Sequence, residues 1–143
     1  LECYGRDDNN LLASLAVKFG IENSVLLKGY TKYEKLPLIL NDSLLYVLSS
    51  LHEAENMSLV EAAFCGVPVV STAVGSAGEL TENTVLPGDY RALASKINFV
   101  LNNYEIEKQK SLSRIPELYK RFSLGITVNN FVELYKSMTK LGR

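Results

Sequence analysis

Leu48-Ser49-Ser50-Leu51-His52-Glu53-Ala54-Glu55-Asn56-Met57-Ser58-Leu59-Val60-Glu61-Ala62-Ala63-Phe64-Cys65-Gly66-Val67-Pro68-Val69-Val70-Ser71-Thr72-Ala73-Val74-Gly75-Ser76-Ala77-Gly78 reads as one strand–loop–helix–strand unit. The apolar run Leu44 to Leu48 makes a strand that stops at two serines. A polar loop follows. Asn56 suits the N-cap position, which predicts a helix from Met57 to Cys65. Gly66 ends that helix, and Val67 to Ser71 leaves it as a buried strand. Two glutamates, Glu53 and Glu61, flank the helix start with seven residues between them.

In an open parallel sheet, ligands sit beyond the carboxyl ends of the strands, where helices begin. The first N–H groups of the helix at Met57 lack internal partners, and the dipole end there is positive. That suits an anion such as a diphosphate. Glu61, one turn in, shares a face with Met57 and Ser58. Its carboxylate would repel phosphate but can accept two hydroxyl hydrogen bonds from a diol. Glu53 lies in the loop, where a second polar part of the same ligand would sit. The implied ligand is an anion flanked by hydroxyl-rich groups, which describes a nucleotide sugar.

The segments Ser50-Leu51-His52-Glu53, Leu59-Val60-Glu61-Ala62-Ala63-Phe64-Cys65-Gly66-Val67-Pro68-Val69-Val70-Ser71-Thr72 and Val74-Gly75 resemble the nucleotide-sugar site of the retaining glycosyltransferase family 4. Its signature is Glu, seven residues, Glu, then Ala and a Gly-x-Pro-Val-Val run, and the order of elements matches from Leu1 to about Met138. The resemblance implies a GT-B fold, two Rossmann-like domains facing across a cleft. It implies that Glu61 holds the ribose hydroxyls of the donor. Glu53, the one residue carried over as catalytic, would face hydroxyls of the transferred sugar. Backbone amides of Asn56, Met57, Ser58 and Leu59 would meet the sugar and the diphosphate. The sequence has Ala54 and Asn56 where the family often has Gly, and Gly75-Ser76-Ala77-Gly78-Glu79 where Gly-Gly before Pro-Glu is usual. These departures bear on the loop path and the sugar preference, not on the family. The family's domain opens with a strand–helix unit carrying an Arg and a Lys that neutralise the diphosphate, and no such unit is found here. The chain starts at Leu1 without an initiator Met, at a strand. The expectation is therefore a single-domain donor-binding fragment over residues 1–143, lacking its first strand–helix unit and the N-terminal GT-B domain.

The 143 residues are enough for a sizeable core, and 47% hydrophobic with 22% charged is ordinary for a globular protein. A net charge of −1 gives no basic field for nucleic acid. Cys3 and Cys65 read as reduced core thiols of a cytoplasmic protein, with no metal-ligand spacing. No signal peptide and no membrane-length apolar run is seen, so any membrane contact of the full-length protein would be peripheral, at the inner face.

Elsewhere, Leu1 to Tyr4 is a short strand ending at Gly5. Arg6, in the loop after it, is either a phosphate contact or a solvated surface residue. Asp8 or Asn9 caps a helix from Asn10 to Lys18, and Gly20 terminates it. Val25 to Lys28 is a strand. Tyr30, just past Gly29, either lines a base pocket or packs partly into the core. A short helix covers Tyr33 to Asn41, with Pro37 near its start or kinking it. His52, the sole histidine, reads as a loop residue that shapes the pocket, and Glu55 as solvent-facing. Across Ala73 to Gly78 small residues allow close backbone approach to a ligand. Gly75 and Ser76 either meet the sugar or phosphate or form a plain tight turn. Thr84 to Leu86 is a strand. Asp89 caps a helix to about Leu101, with Leu93, Ile97, Val100 and Leu101 inward. Glu105 to Arg121 is a solvated charged helix face. Ser123 caps a last helix, to about Met138, with an apolar stripe of Ile126, Val128, Phe131, Val132, Leu134 and Tyr135; the resemblance, in which the final helix often bridges back to the other domain, implies that this stripe exposes apolar surface here.

The fold class expected is α/β, an open Rossmann-like parallel sheet flanked by helices. The function expected is the donor half of a hexosyltransferase-type enzyme. It moves a sugar from a nucleoside-diphosphate sugar to a hydroxyl of a glycan, lipid or small-molecule acceptor, with retention, in polysaccharide or glycoconjugate synthesis. No cofactor or metal is required by that design, and no base or nucleophile stands out. The alternatives are a non-catalytic nucleotide-binding or interaction module of the same fold, or a nucleotide-sugar epimerase.

Overall fold

The computed structural model describes residues 1–141, with side chains through 139. The chain divides into two compact units, Leu1–Ile39 and residue 40 onward. The first begins with strand β1 (Glu2–Tyr4). Helix α1 (Leu11–Lys18) and strand β2 (Leu26–Gly29) follow, and helix α2 (Leu36–Asn41) crosses the unit boundary. β1 and β2 pair in parallel, Glu2 opposite Leu26 and Cys3 opposite Leu27. Asn10 holds the N-cap position of α1 without a side-chain capping bond, and the capping acceptor comes from further upstream than the sequence predicts. Asp7, not Asp8 or Asn9, accepts from the N–H groups of Leu12 (2.8 Å) and Ala13 (3.0 Å). A 3-10 turn intervenes, and Asn9 and Asn10 adopt left-handed conformations that Asn tolerates. Pro37 is the second residue of α2, where its missing N–H breaks no helix bond.

The second unit contains β3 (Tyr46–Leu48), α3 (Met57–Phe64), β4 (Val69–Thr72), α4 (Ala77–Leu80), β5 (Thr84–Val85), α5 (Tyr90–Asn102), α6 (Tyr104–Phe122) and α7 (Leu124–Leu141). Its strands form a parallel sheet in the order β3-β4-β5, with Val47 opposite Val70 and Ser71 opposite Thr84. The architecture is thus α/β with parallel strands and flanking helices, its strands divided between a two-stranded and a three-stranded sheet. Every residue of β4 is buried, which explains its continuous apolar reading rather than an alternating one. Val69 joins Leu59, Val60, Ala62 and Ala63 of α3, Ala77 and Leu80 of α4 and Leu118 of α6 in one core cluster. Val70 and Val100 are fully buried outside that cluster, and α5 packs on β4 and β5. Fully burying a side chain such as Leu59 contributes about 1.5–3 kcal/mol.

Four expectations give way here. Ala77–Leu80 forms a short helix rather than loop. Leu101 of α5 is exposed, and Cys3 is a half-buried free thiol outside the core cluster, whereas Cys65, also a half-buried free thiol, packs against that cluster. The charged run of α6 is not wholly solvated: Glu107 is only 5% exposed. A charge can be buried when it is paired. Glu107 accepts from the Asn83 amide at 2.8 Å and from Lys110 at 2.7 Å. Burial alone would raise its carboxyl; Lys110 and Asn83 more than offset that and hold it below the ordinary carboxylate range. On α7, Val128, Phe131, Val132, Leu134 and Tyr135 are exposed, as the resemblance implies, while Ile126 is half-buried.

Candidate functional site

The loop from β3 to α3 begins where the strand runs out at Leu48. It is anchored at both ends. Ser50 at its start is fixed twice: its carbonyl accepts from the Thr72 hydroxyl of β4 at 2.6 Å, and its own hydroxyl donates to Glu53 Oε1 at 2.8 Å. At the far end Asn56 is the N-cap the sequence predicts. Its Oδ1 accepts from the Leu59 N–H at 3.0 Å, and its Nδ2 donates to Glu53 Oε1 at 3.1 Å. Glu53 is therefore held through one oxygen, while Oε2 meets no donor among the described residues.

Glu61 differs. It is half-buried on α3; its backbone carbonyl accepts from the Cys65 N–H, but its carboxylate forms no hydrogen bond or ion pair among the described residues. Its charge is felt by two neighbours. Burial raises the pKa of the Tyr46 phenol on β3, and the charges of Glu61 and Glu53 push it further, against the hydrogen bond it shares with Ser58. Burial likewise raises the Cys65 thiol, with Glu61 adding and Lys108 opposing. Both glutamates thus lie within electrostatic reach of one hydroxyl, that of Tyr46.

At the helix mouth Met57 is 61% exposed, so no apolar lid closes it. The amides do not all serve as the sequence suggests. The Leu59 N–H is taken by Asn56, and its side chain is core. Met57 and Ser58, in the first turn, retain N–H groups with no acceptor inside the helix. The loop after β4 closes against the loop after β3. Gly75 has φ +51°, and a Cβ there would lie 2.8 Å from the Ala54 carbonyl oxygen, so only glycine fits. The Ser76 hydroxyl donates to Glu55 at 3.0 Å, which gives exposed Glu55 a partner. Gly78 sits in α4 with open space around it, so close approach falls to Gly75 alone.

Glu53, Asn56, Met57, Ser58, Leu59, Glu61, Gly75 and Ser76 all belong to the second unit. Arg6 and Tyr30 belong to the first. Arg6 is exposed, and Tyr30, 86% exposed beyond the carboxyl end of β2, is not a core residue. His52 is exposed in the loop. Sequence reasoning missed Tyr46, Ser50 and Thr72. The one available signal was a phenol in an otherwise aliphatic strand. No group of three or more His, Cys, Asp or Glu among the described residues is arranged to hold a metal ion, and no described helix is long and apolar enough to cross a membrane.

The chain resembles known proteins over most of its length. A 2-deoxystreptamine N-acetyl-D-glucosaminyltransferase of Niallia circulans is 29% identical over 122 residues, covering 82% of this chain and 31% of that protein. The enzyme of the same name from Streptomyces fradiae is 26% identical over 82% of this chain and 29% of its own length. The chain thus spans about a third of the curated relatives it matches. Among solved structures, HepE of Anabaena in complex with UDP superposes with a TM-score of 0.84 at 23% identity, over 95% of this chain and 40% of that one. A second structure of HepE holds UDP-glucose. At this identity the likeness shows the fold, that of GT-B glycosyltransferases. Residues 3–117, which contain both glutamates, the capped helix and the glycine loop, match the model for glycosyl transferases group 1, and the chain belongs to that family.

Proposed function

We propose that the second unit binds the donor of a retaining, family 4 glycosyltransferase. The observation that carries this reading is Glu61: an ionisable acceptor without a hydrogen-bond donor, beside a capped helix start whose first N–H groups are unpaired. Glu61 accepts the ribose hydroxyls. The N–H groups of Met57 and Ser58 take the diphosphate, helped by the dipole of α3. Glu53 presents Oε2 to a hydroxyl of the transferred sugar, and Gly75 and Ser76 border that sugar. UDP in HepE and the N-acetyl-D-glucosaminyltransferase names of the curated relatives support a nucleoside-diphosphate hexose as donor. The acceptor hydroxyl belongs to a glycan, a lipid or a small molecule, and the site works in the cytoplasm or at the inner face of the membrane. Stabilising the departing diphosphate is the main task. It falls to the helix amides and to an Arg and a Lys of the complete protein, and the design calls for no metal.

Calorimetry with UDP, UDP-glucose, UDP-N-acetylglucosamine and GDP-mannose tests this. Glu61→Ala removes up to two charge-assisted bonds, so affinity for the bound nucleotide sugar falls by about tenfold or more while the melting temperature holds. Unchanged binding would sink the Glu61 assignment.

A further inference from the structure

We propose that Tyr46 and Ser58 are positioning residues, which act through Asn56 to hold the Glu53 carboxylate toward the transferred sugar; this rests on the reading of Glu53 just given. The hydrogen bonds form one chain from β3 to the loop. The Tyr46 hydroxyl meets Ser58 Oγ, Ser58 Oγ donates to Asn56 Oδ1 at 2.6 Å, and Asn56 Nδ2 donates to Glu53 Oε1 at 3.1 Å.

Each direction in that chain is determined. The Leu59 N–H can only donate, so the Asn56 atom it meets is the oxygen. An ionised carboxylate can only accept, so the Asn56 atom facing Glu53 is the nitrogen. The single Ser58 proton goes to Asn56, which leaves Tyr46 as donor to Ser58. The rotamer of one amide therefore serves two ends. It caps α3, and it clamps Glu53. A cap needs only the Asn56 oxygen and the Leu59 N–H. The phenol and the serine hydroxyl add nothing to capping that Asn56 lacks. They do fix the tilt of the amide, and so the direction of its nitrogen. The loop has Ala54 and Glu55 beside the glutamate, and no helix or strand of its own, so Glu53 depends on such side-chain bonds for its orientation. Tyr46 is also half-buried and stands on the sheet itself, where strand pairing holds its backbone.

The test uses the full-length protein with UDP and with whichever of UDP-glucose, UDP-N-acetylglucosamine and GDP-mannose it binds. Tyr46→Phe and Ser58→Ala should each weaken nucleotide-sugar binding by about three- to tenfold, as expected for a lost hydrogen bond, with the bare nucleoside diphosphate held within about twofold. In the Glu53→Gln background the same changes should do almost nothing more, because the group they position is already altered. Parallel loss of both ligands, or additive losses in the double variants, would overturn the proposal and leave Tyr46 and Ser58 as supports of the fold. If Glu53→Gln discriminates between the two ligands but Tyr46→Phe and Ser58→Ala do not, the positioning role alone falls. If Glu53→Gln binds both ligands like the wild type, or if none of the three nucleotide sugars binds, the donor-site reading falls and takes this proposal with it.

Discussion

The two ends of β4 both gather carboxylates, and they treat them in opposite ways. At the amino end a cleft of about 230 Å³ is lined by Thr81, Asn83, Glu107, Lys110 and Arg114 among others. There each charge has found its partner. Glu107 is bonded to Asn83 and Lys110, and Arg114 reaches Glu82 at 3.2 Å and the Leu80 carbonyl at 3.4 Å. The Thr81 hydroxyl is given to the Val69 carbonyl. At the carboxyl end there is less enclosure. Glu53 is tied by one oxygen, Glu61 by none, and the first amides of α3 are open. Buried polar groups must be paired within the protein. Half-exposed ones can be served by water until a ligand replaces it. The comparison separates an enclosed cleft whose polar groups are all paired from an open strand end that leaves acceptors and donors free for a ligand.

The sharpest way to break this contrast is to remove the buried carboxylate. Glu107→Ala leaves Asn83 unpaired under α6 and is expected to lower stability by about 2–3 kcal/mol, read by chemical denaturation, with nucleotide-sugar affinity unchanged. The same group sets a pH dependence. Its carboxyl titrates below its ordinary value of 4.5 in the folded chain. The ionised form therefore favours folding, and that contribution is complete above about 4.5 and lost as the solution is acidified through the lower folded value. The melting temperature of the wild type should fall more steeply between about pH 5 and about pH 3 than that of Glu107→Gln. Equal slopes would show that Glu107 is not the group responsible.

Next in size are two glycines with the same backbone conformation. Gly75 and Gly66 have φ of +51° and +66°. A Cβ on Gly66 would approach Leu112 Cδ2 at 2.6 Å, the end of a side chain that is 39% exposed and can swing away. A Cβ on Gly75 meets the Ala54 backbone at 2.8 Å, which can move only with the Glu53 loop. Both Gly→Ala changes carry a left-handed strain of about 1 kcal/mol. Only Gly75→Ala should also weaken nucleotide-sugar binding, because it displaces the loop that carries Glu53. Matching losses of affinity in the two variants would remove Gly75 from the site.

Much of this was legible in the residues. Asn56, Gly66 and Asp89 announce the ends of α3 and the start of α5 because capping and left-handed turns depend on a few side-chain types at fixed offsets. The paired glutamates and the Gly66-Val67-Pro68-Val69-Val70 run pointed to the family that residues 3–117 match. What stayed hidden depends on tertiary contact. That Glu107 is buried, on a helix reading as a solvated charge run, follows from Asn83 lying 24 positions away. Asp7 displaced Asp8 as a cap because a 3-10 turn intervened, which local propensity does not reveal. Tyr46 looked like one more core residue of an apolar strand, and its hydroxyl gained meaning only when Ser58 met it.

The smallest expected effect probes the same site through charge alone. Glu55 is exposed, adjoins the N-cap of α3, and is tethered by Ser76. Its carboxylate lies beside a helix start assigned to a diphosphate, so it opposes the ligand it borders. Glu55→Gln keeps an acceptor for Ser76 while removing the charge. Affinity for UDP should rise, by about twofold at low salt, since exposed charges interact by a few tenths of a kcal/mol to about 1 kcal/mol. Raising the ionic strength should erase the gain, because screening acts on exposed charges first. A fall in UDP affinity would mean that Glu55 attracts the ligand, and the diphosphate would then have to sit elsewhere than the mouth of α3.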